Sequence, residues 1–440
     1  MTIAQAFEKL VSNIVLDNDE QLSNRYKAIT KKLNERFRNS VSETDNSLQV
    51  GSYGRYTGIK GISDLDMMYI MPDSQWDVYK NDPSKLLRDT RDALQERWPK
   101  SDIYVDTPVV VLNFGNFKFE VQPVFKDNEE NDDLPFYWFP DTKKGGYRKT
   151  KPKHEQAEMT RFRSEYGDTH RRLCKIMRAW KNTSGLAMSG LLLDTLAYNF
   201  LNDKTEYRTT GYSNYDAMTR DFFQFLKDQE EQEYYAALGS KQRVYVKHPF
   251  RTKAAKAMKL AEKAIAESDG ENRHNFWRDF FGNAFPKYCD TAVAEERAFS
   301  SSIGTYKDPE EFIEDSYPIN ITEELSINCR VTANGYRPSL LRDMLSRFER
   351  IMTLRSLDFY IERTTVAGDY KVLWKVRNVG PEAIRRKCLR GEIYKPNRAE
   401  NMRHESSNFY GPHYVECYIV KNGVVVARDR IDVPIQSSYV

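Results

Sequence analysis

Two aspartates separated by one residue, Asp64 and Asp66, open the run DLDMMYIM, and no other feature limits the fold of this chain as tightly. Side chains alternate between the faces of an extended strand, so both carboxylates point one way and Leu65 the other. The apolar continuation through Met67, Met68, Tyr69 and Ile70 reads as a strand buried in a core. The acids therefore sit at the end of a core strand, where charge is costly to bury without compensation. Carboxylates held side by side also repel, and a cation between them relieves both problems.

Divalent magnesium supplies that charge. Two-metal phosphoryl transfer uses oxygen ligands that bridge ions roughly 3.5–4 Å apart, and aspartates at i and i+2 suit that geometry. The Gly51-Ser52 pair upstream then reads as a helix-opening turn for a triphosphate, since glycine permits close approach and helix N-termini attract anions. A third carboxylate is expected from a neighbouring strand. FKFEVQPVF supplies Glu120, with Gln122 on the same face, and we assign Glu120 as third ligand and hydroxyl-activating base. Its rival, Asp106 in IYVDTPVV, fits a turn or surface position better.

The 440 residues exceed one ordinary core and predict two or three domains. Hydrophobic residues make up 40% and charged residues 30%, as in a folded globular chain. Net charge is only +3, so any polyanion site is local. Cys174, Cys289, Cys329, Cys388 and Cys417 form no CxxC pair and read as reduced thiols. With no long apolar run and an acidic N-terminus, no membrane segment is expected and the compartment predicted is the cytoplasm.

Periodicity predicts a long amphipathic helix carrying Tyr26, Ile29, Leu33 and Phe37, then strands over 64–71, 105–114 and 117–125 with a helix over 83–98. Further helices are expected over 171–181, 191–201, 217–238 and 252–267. Beyond Asp308 the pattern becomes strand-like, with Asn422-Gly423 as a type I′ hairpin turn.

These motifs carry a resemblance. Gly-Ser, a short helix, Asp-x-Asp, and then an acid followed by proline (Glu120, Pro123) resemble the cGAS and DncV-like nucleotidyltransferases of bacterial anti-phage defence, relatives of the oligoadenylate synthases, although many relatives carry aspartate at the third position. FPDTKKGGYRKTKPKHEQ and LCKIMRAWKNTSGLAMSGLLLDTLA resemble the family's following loop and helices. On that match Arg178 and Ser189 contact donor phosphates, with Lys175 and Lys181 as further nucleotide-binding candidates. WKVRNVGPEA, LRGEI and GPHYVECYIVKNGVVVARD resemble the adenylyl/guanylyl cyclase and SMODS C-terminal sensor domain.

The resemblance implies an α+β fold, with a polymerase-β-like sheet and catalytic lobe over 1–154, a helical lobe over 155–307 closing the cleft, and a β-rich sensor domain over 308–440. It implies two magnesium ions, with manganese as an alternative, nucleoside triphosphate substrates (ATP, GTP or both), and a cyclic di- or trinucleotide product. The product, rather than this chain, would bind a downstream effector, and a nucleic-acid activator is an open option. Competing readings are a linear oligonucleotide synthase, nucleotidyl transfer to RNA or protein, and an inactive ligand sensor. His154 and His170 receive no role. The aromatic run Phe136 to Phe139 and the arginines Arg377, Arg385, Arg386 and Arg390 read as core and solvated rim at least as readily as base-stacking or phosphate contacts.

Overall fold

A computed structural model describes residues 1–16, 19–61, 64–114, 117–130, 132–288, 309–333, 335 and 337–436. Cys289 and the expected boundary at 307/308 lie outside them. The chain divides into two compact units, Thr2–Trp180 with Met188–Pro286, and Lys181–Ala187 with the described part of 287–440.

The first unit opens with helices α1 (Ile3–Asn13) and α2 (Asp19–Arg38). A mixed sheet follows, built from β1 (Ser47–Gln49), β2 (Asp64–Ile70), β3 (Asp102–Asp106), β4 (Val109–Asn113), β5 (Lys118–Asp127), β6 (Phe136–Pro140) and β7 (Tyr147–Thr150). Its order is β1-β2-β5-β4-β3, with β6 paired to β5 and β7 to β6. β2 and β5 run parallel, which requires a crossover, and α3 (Gly51–Gly54), α4 (Trp76–Tyr79) and α5 (Pro83–Arg97) accompany the sheet. The α5 start is encoded locally: Asp82 accepts from the Lys85 N–H at 2.8 Å and Pro83 occupies the first turn. The predicted face of α2 is confirmed, since Ile29 and Leu33 are buried in one cluster with Leu65, Tyr69 and Phe119 of the sheet.

Helices α6 (Pro152–Tyr166), α7 (Thr169–Ser184), α8 (Gly190–Asp203), α9 (Tyr215–Lys227), α10 (Arg251–Ala266) and α11 (Gly270–Phe281) come next. Two expectations are corrected here. The run 105–114 is not one strand but parts of β3 and β4, which pair as a hairpin with Asp106 opposite Val109, because Pro108 lacks a ladder donor. The helix predicted over 217–238 stops at Lys227, where the apolar period gives way to DQEEQE, and the chain continues as the pair β8 (Tyr234–Ala236) and β9 (Arg243–Tyr245).

The second unit is a two-sheet sandwich. One sheet holds β10 (Leu325–Thr332), β11 (Ser339–Leu340), β13 (Ser356–Thr364) and β16 (Arg403–Ser406). The other holds β12 (Ile351–Met352), β14 (Lys371–Arg377), β15 (Arg390–Tyr394), β17 (Gly411–Lys421) and β18 (Val424–Gln436). Ile327, Phe359, Trp374, Cys417 and Val433 from both sheets share one core. Asn422 at φ 51° and Gly423 at φ 76° form the predicted hairpin turn between β17 and β18. The four arginines read as a rim are matched by acids: Arg385 and Arg386 bond Glu382, Arg390 bonds Glu405, and Arg377 stands 3.6 Å from Glu310.

One aromatic residue ties the N-terminus to the helical region. The Phe7 ring, fully buried, meets Trp277 at 5.1 Å and Phe285 at 5.5 Å, both edge-on, and Tyr215 at 6.1 Å. Phe7→Ala is expected to lower unfolding free energy by about 3–5 kcal/mol through the lost transfer and residual cavity. Urea denaturation of the variant checks it, and an unchanged midpoint would show that α1 is dispensable to this core.

Candidate active site

Parallel pairing of β2 and β5 sets Asp66 opposite Glu120 and Asp64 opposite Lys118. These four polar side chains share one sheet face, while Leu65, Phe119 and Val121 fill the core on the other. Asp106 is exposed at the end of β3, two strands away from β5. The register therefore sets Glu120, and not Asp106, beside the aspartate pair.

The electrostatics follow from this crowding. Burial, then the charges of Asp64 and Glu120, push the Asp66 carboxyl up to about 7, and Arg55 and Lys118 only partly offset them. The Lys118 ammonium donates to Glu120 Oε1 at 2.6 Å. Burial works against the Lys118 charge, yet Glu120 and Asp64 outweigh it and raise the amine above its ordinary value. Among the described residues no group of three His, Cys, Asp or Glu side chains is already gathered around one metal-binding point, since Glu120 is turned to Lys118. The donor set nonetheless fits divalent cations: hard carboxylate oxygens, mutually repelling, with proton affinity raised at the central member.

Gly51 closes on this group. It adopts φ +61°, and a Cβ there would fall 1.8 Å from Asp66 Oδ2, so the turn requires glycine twice over. The Val50 N–H donates to the Asp66 carbonyl at 3.0 Å, and the Thr57 and Gly58 N–H groups both donate to the Ser52 carbonyl. The turn carrying Gly51 and Ser52 is thereby fixed against β2.

Behind the turn lies a buried ion network that the sequence reading missed. Asp194, fully buried on α8, accepts from Arg55 Nε at 2.9 Å, from Thr57 Oγ1 at 3.0 Å, and from Arg178 Nη2 at 2.7 Å on each oxygen. Arg55 reaches Glu155 at 3.2 Å, and Ser240 Oγ donates to the other oxygen of Glu155. Burial opposes the Asp194 charge, but Arg178 and Arg55 overcome it and hold the carboxyl below its usual range. Asp194 was visible in principle as the lone acid in the apolar run GLLLDTLA. Lys118 was visible as a base two residues before Glu120 on the same strand face.

The remaining expected nucleotide contacts are placed as follows. Arg178 is 8% exposed, with its guanidinium on Asp194, Thr57 and the Gly190 carbonyl rather than turned outward. Ser189 caps α8, accepting from the Leu192 N–H at 3.2 Å. Lys175 is half-buried on α7, its ammonium made easier to deprotonate by burial and by Arg171. Lys181 is buried and belongs by its contacts to the second unit. His154 pairs with Asp132, and buried His170 meets the Asp194 carbonyl at 3.1 Å.

Paired strand aspartates, a facing carboxylate and a glycine turn against them form the arrangement expected of a nucleotidyltransferase. Residues 1–162 match the Second Messenger Oligonucleotide or Dinucleotide Synthetase (SMODS) domain, and residues 307–436 match the Adenylyl/Guanylyl and SMODS C-terminal sensor domain. The chain thus carries a match to a second-messenger nucleotide synthetase domain followed by a match to the sensor domain that accompanies it. No curated protein matches the sequence. Similar solved structures include Escherichia coli CdnC with ATP, at 12% identity over 64% of this chain and 98% of that one, with a TM-score of 0.48. Others are the Rhodothermus marinus CdnE c-UMP-AMP synthase (12% identity, 60% of this chain and 97% of that one, TM-score 0.44) and Vibrio cholerae DncV cyclic AMP-GMP synthase with a linear intermediate (13%, 64% and 87%, 0.45).

Two outcomes follow from the geometry. Asp194→Asn leaves two guanidiniums short of a charge in a buried site and should destabilise the fold by about 3–5 kcal/mol, read by thermal or urea unfolding. Asp66→Asn should do the reverse in metal-free protein. A carboxyl raised above its unfolded value contributes stability that is full below about pH 4 and is lost as pH rises through about 7. The variant should therefore melt above wild type at pH 8 and show no gain at pH 4. A gain independent of pH would show that charge crowding is not its source.

Proposed function

We propose that Asp64, Asp66 and Glu120 hold two divalent cations, magnesium or manganese, and that the enzyme joins nucleoside triphosphates into a cyclic di- or trinucleotide second messenger in anti-phage defence. The observation that carries this reading is the β2–β5 register, which brings Asp66 and Glu120 together at the glycine turn. The family's description as a second-messenger oligonucleotide synthetase supports the product class, and the nucleotides named with CdnC, CdnE and DncV support triphosphate substrates.

Bound cations would neutralise the transferring phosphate and lower the proton affinity of the attacking hydroxyl. The chain's own part is placement. Gly51, without a side chain, lets the turn close directly on the Asp66 carboxylate, and Ser52 offers a hydroxyl on the same turn. Glu120, oriented by Lys118, is the carboxylate that accepts the hydroxyl proton. Arg178 and Arg55 act through Asp194 and Thr57 to hold the turn still, so Arg178 serves the donor phosphates by positioning. Lys175, on α7, is the candidate for direct phosphate contact.

Incubation with all four labelled triphosphates, in magnesium and separately in manganese, followed by mass spectrometry, tests the product. A cyclic product resists phosphatase because it has no terminal phosphate, whereas a linear oligonucleotide or a labelled RNA or protein would establish the competing readings. Asp64→Asn and Asp66→Asn should each abolish turnover while the protein stays folded. Glu120→Gln should reduce turnover by about two to four orders of magnitude, and Asp106→Asn should leave it near wild type. Equal losses from the last two would unseat Glu120.

A further inference from the structure

Folded cores rarely contain voids much larger than a water molecule, yet the second unit holds a cavity of about 340 Å³ opening from the core between its two sheets. That volume lies within the range of built small-molecule sites, roughly 300–1,000 Å³. Its floor is apolar, formed by Leu357 and Phe359 of one sheet and Val415 and Val433 of the other. Its mouth is polar and carries Asn378, Arg390, Ser406 and Asn408.

Arginines crowd the mouth, each held by an acid. Glu405 takes a forked bond from Arg390 at 2.6 and 3.0 Å and a second from Arg403 at 2.8 and 2.7 Å, so two guanidiniums share one carboxylate. On the adjoining short helix Pro381–Arg385, Glu382 likewise serves both Arg385 and Arg386. Phe409 contributes a ring at the same mouth, held edge-on by His413 at 5.0 Å with Arg386 5.4 Å above it. An apolar floor, a fixed ring and guanidinium groups at the opening select a particular ligand shape. We propose that this cavity is the ligand site of the C-terminal domain, and that it takes a small molecule with a flat unsaturated ring and one anionic group, of the size of a nucleoside monophosphate.

The walls of the cavity also hold residues 310 and 311, which precede the first strand of this unit. Tyr414 lines the cavity and its hydroxyl donates to Glu310 Oε1 at 3.2 Å. The residue after Arg390, Gly391, accepts from the Glu311 N–H at 3.0 Å, and a Cβ on it would meet the Glu310 Cα at 3.0 Å. Buried Lys375 bonds Glu310 at 2.8 Å. A ligand that displaces Arg390 or Tyr414 therefore acts on residues 310 and 311, which follow the catalytic part in sequence.

The proposal stands apart from the catalytic reading. Its test is calorimetric titration of the full chain with the four nucleoside 5′-monophosphates and, in a separate arm, with 4-hydroxybenzoate, which distinguishes a phosphate from a carboxylate source. Binding tighter than ~1 mM in either arm is expected. Ser406→Trp and Asn408→Trp place bulk on exposed positions at the mouth, so each should weaken binding about tenfold or more while the melting temperature without probe is unchanged. If one variant fails to fold, the other decides. Absence of binding in both arms overturns the proposal, as does binding that a folded mouth variant retains in full.

Discussion

The glycine turn beside the aspartate pair depends on one buried charge. Asp194 has no exposed surface and faces two guanidiniums, Arg55 from the segment after the glycine turn and Arg178 from α7. With Glu155 included, two acids meet two bases and the set is neutral. Such a network is a poor source of stability compared with an apolar core of equal volume, because desolvation cancels most of the attraction. What it supplies is a single arrangement: any other placement of residues 51–57 against α8 would strand a charge in a dry interior. The geometry of Gly51 and Ser52 therefore rests on α6, α7 and α8 as much as on the sheet they adjoin.

The neighbouring carboxylates obey the opposite logic. Asp64, Asp66 and Glu120 are gathered without enough positive charge, and burial together with that crowding pushes the Asp66 carboxyl up to about 7. A few residues later on the same strand Met67, Met68 and Tyr69 are buried within 4% exposure, so the core bears the tension created at its edge. Local rules are kept everywhere in β2 except at the residues proposed to act, as expected where function sets the constraint. Lys118 offsets part of the repulsion and, by holding Glu120, sets which carboxylate is oriented in the absence of other cations.

Much of this was legible in the sequence because the informative signals are local. Alternation in DLDMMYI, the apolar stripe of α2, the start of α5 at Pro83 and the Asn-Gly hairpin each depend on a few consecutive residues, and each took its expected form. Pairings between distant segments were not legible. Nothing near Arg178 in the chain points to Asp194 rather than to a phosphate as its partner, and nothing near Glu155 indicates Arg55. The overrun of the helix past Lys227 has a different cause: DQEEQE has high helix propensity but no apolar residue to bury, and without burial propensity does not hold a helix.

The second unit repeats the device found around Asp194 with different residues. Buried Glu416 and partly buried Glu310 face buried Arg428 and Lys375, at 2.6 Å for Arg428–Glu416 and 2.8 Å for Lys375–Glu310. Burial opposes the charge of Glu416, yet Arg428 and Lys375 hold its carboxyl down to about 2, so the network stays ionised throughout the neutral range. In the first unit the neutral network fixes the turn that carries Gly51. In the second it fixes residue 310 on a wall that Tyr414 shares with the cavity. Buried ion pairs switch poorly by degrees, since a partly broken pair leaves an uncompensated charge. A segment anchored by them is either seated or released, and that two-state character is what a domain needs if occupancy of a cavity is to alter the chain leading into it.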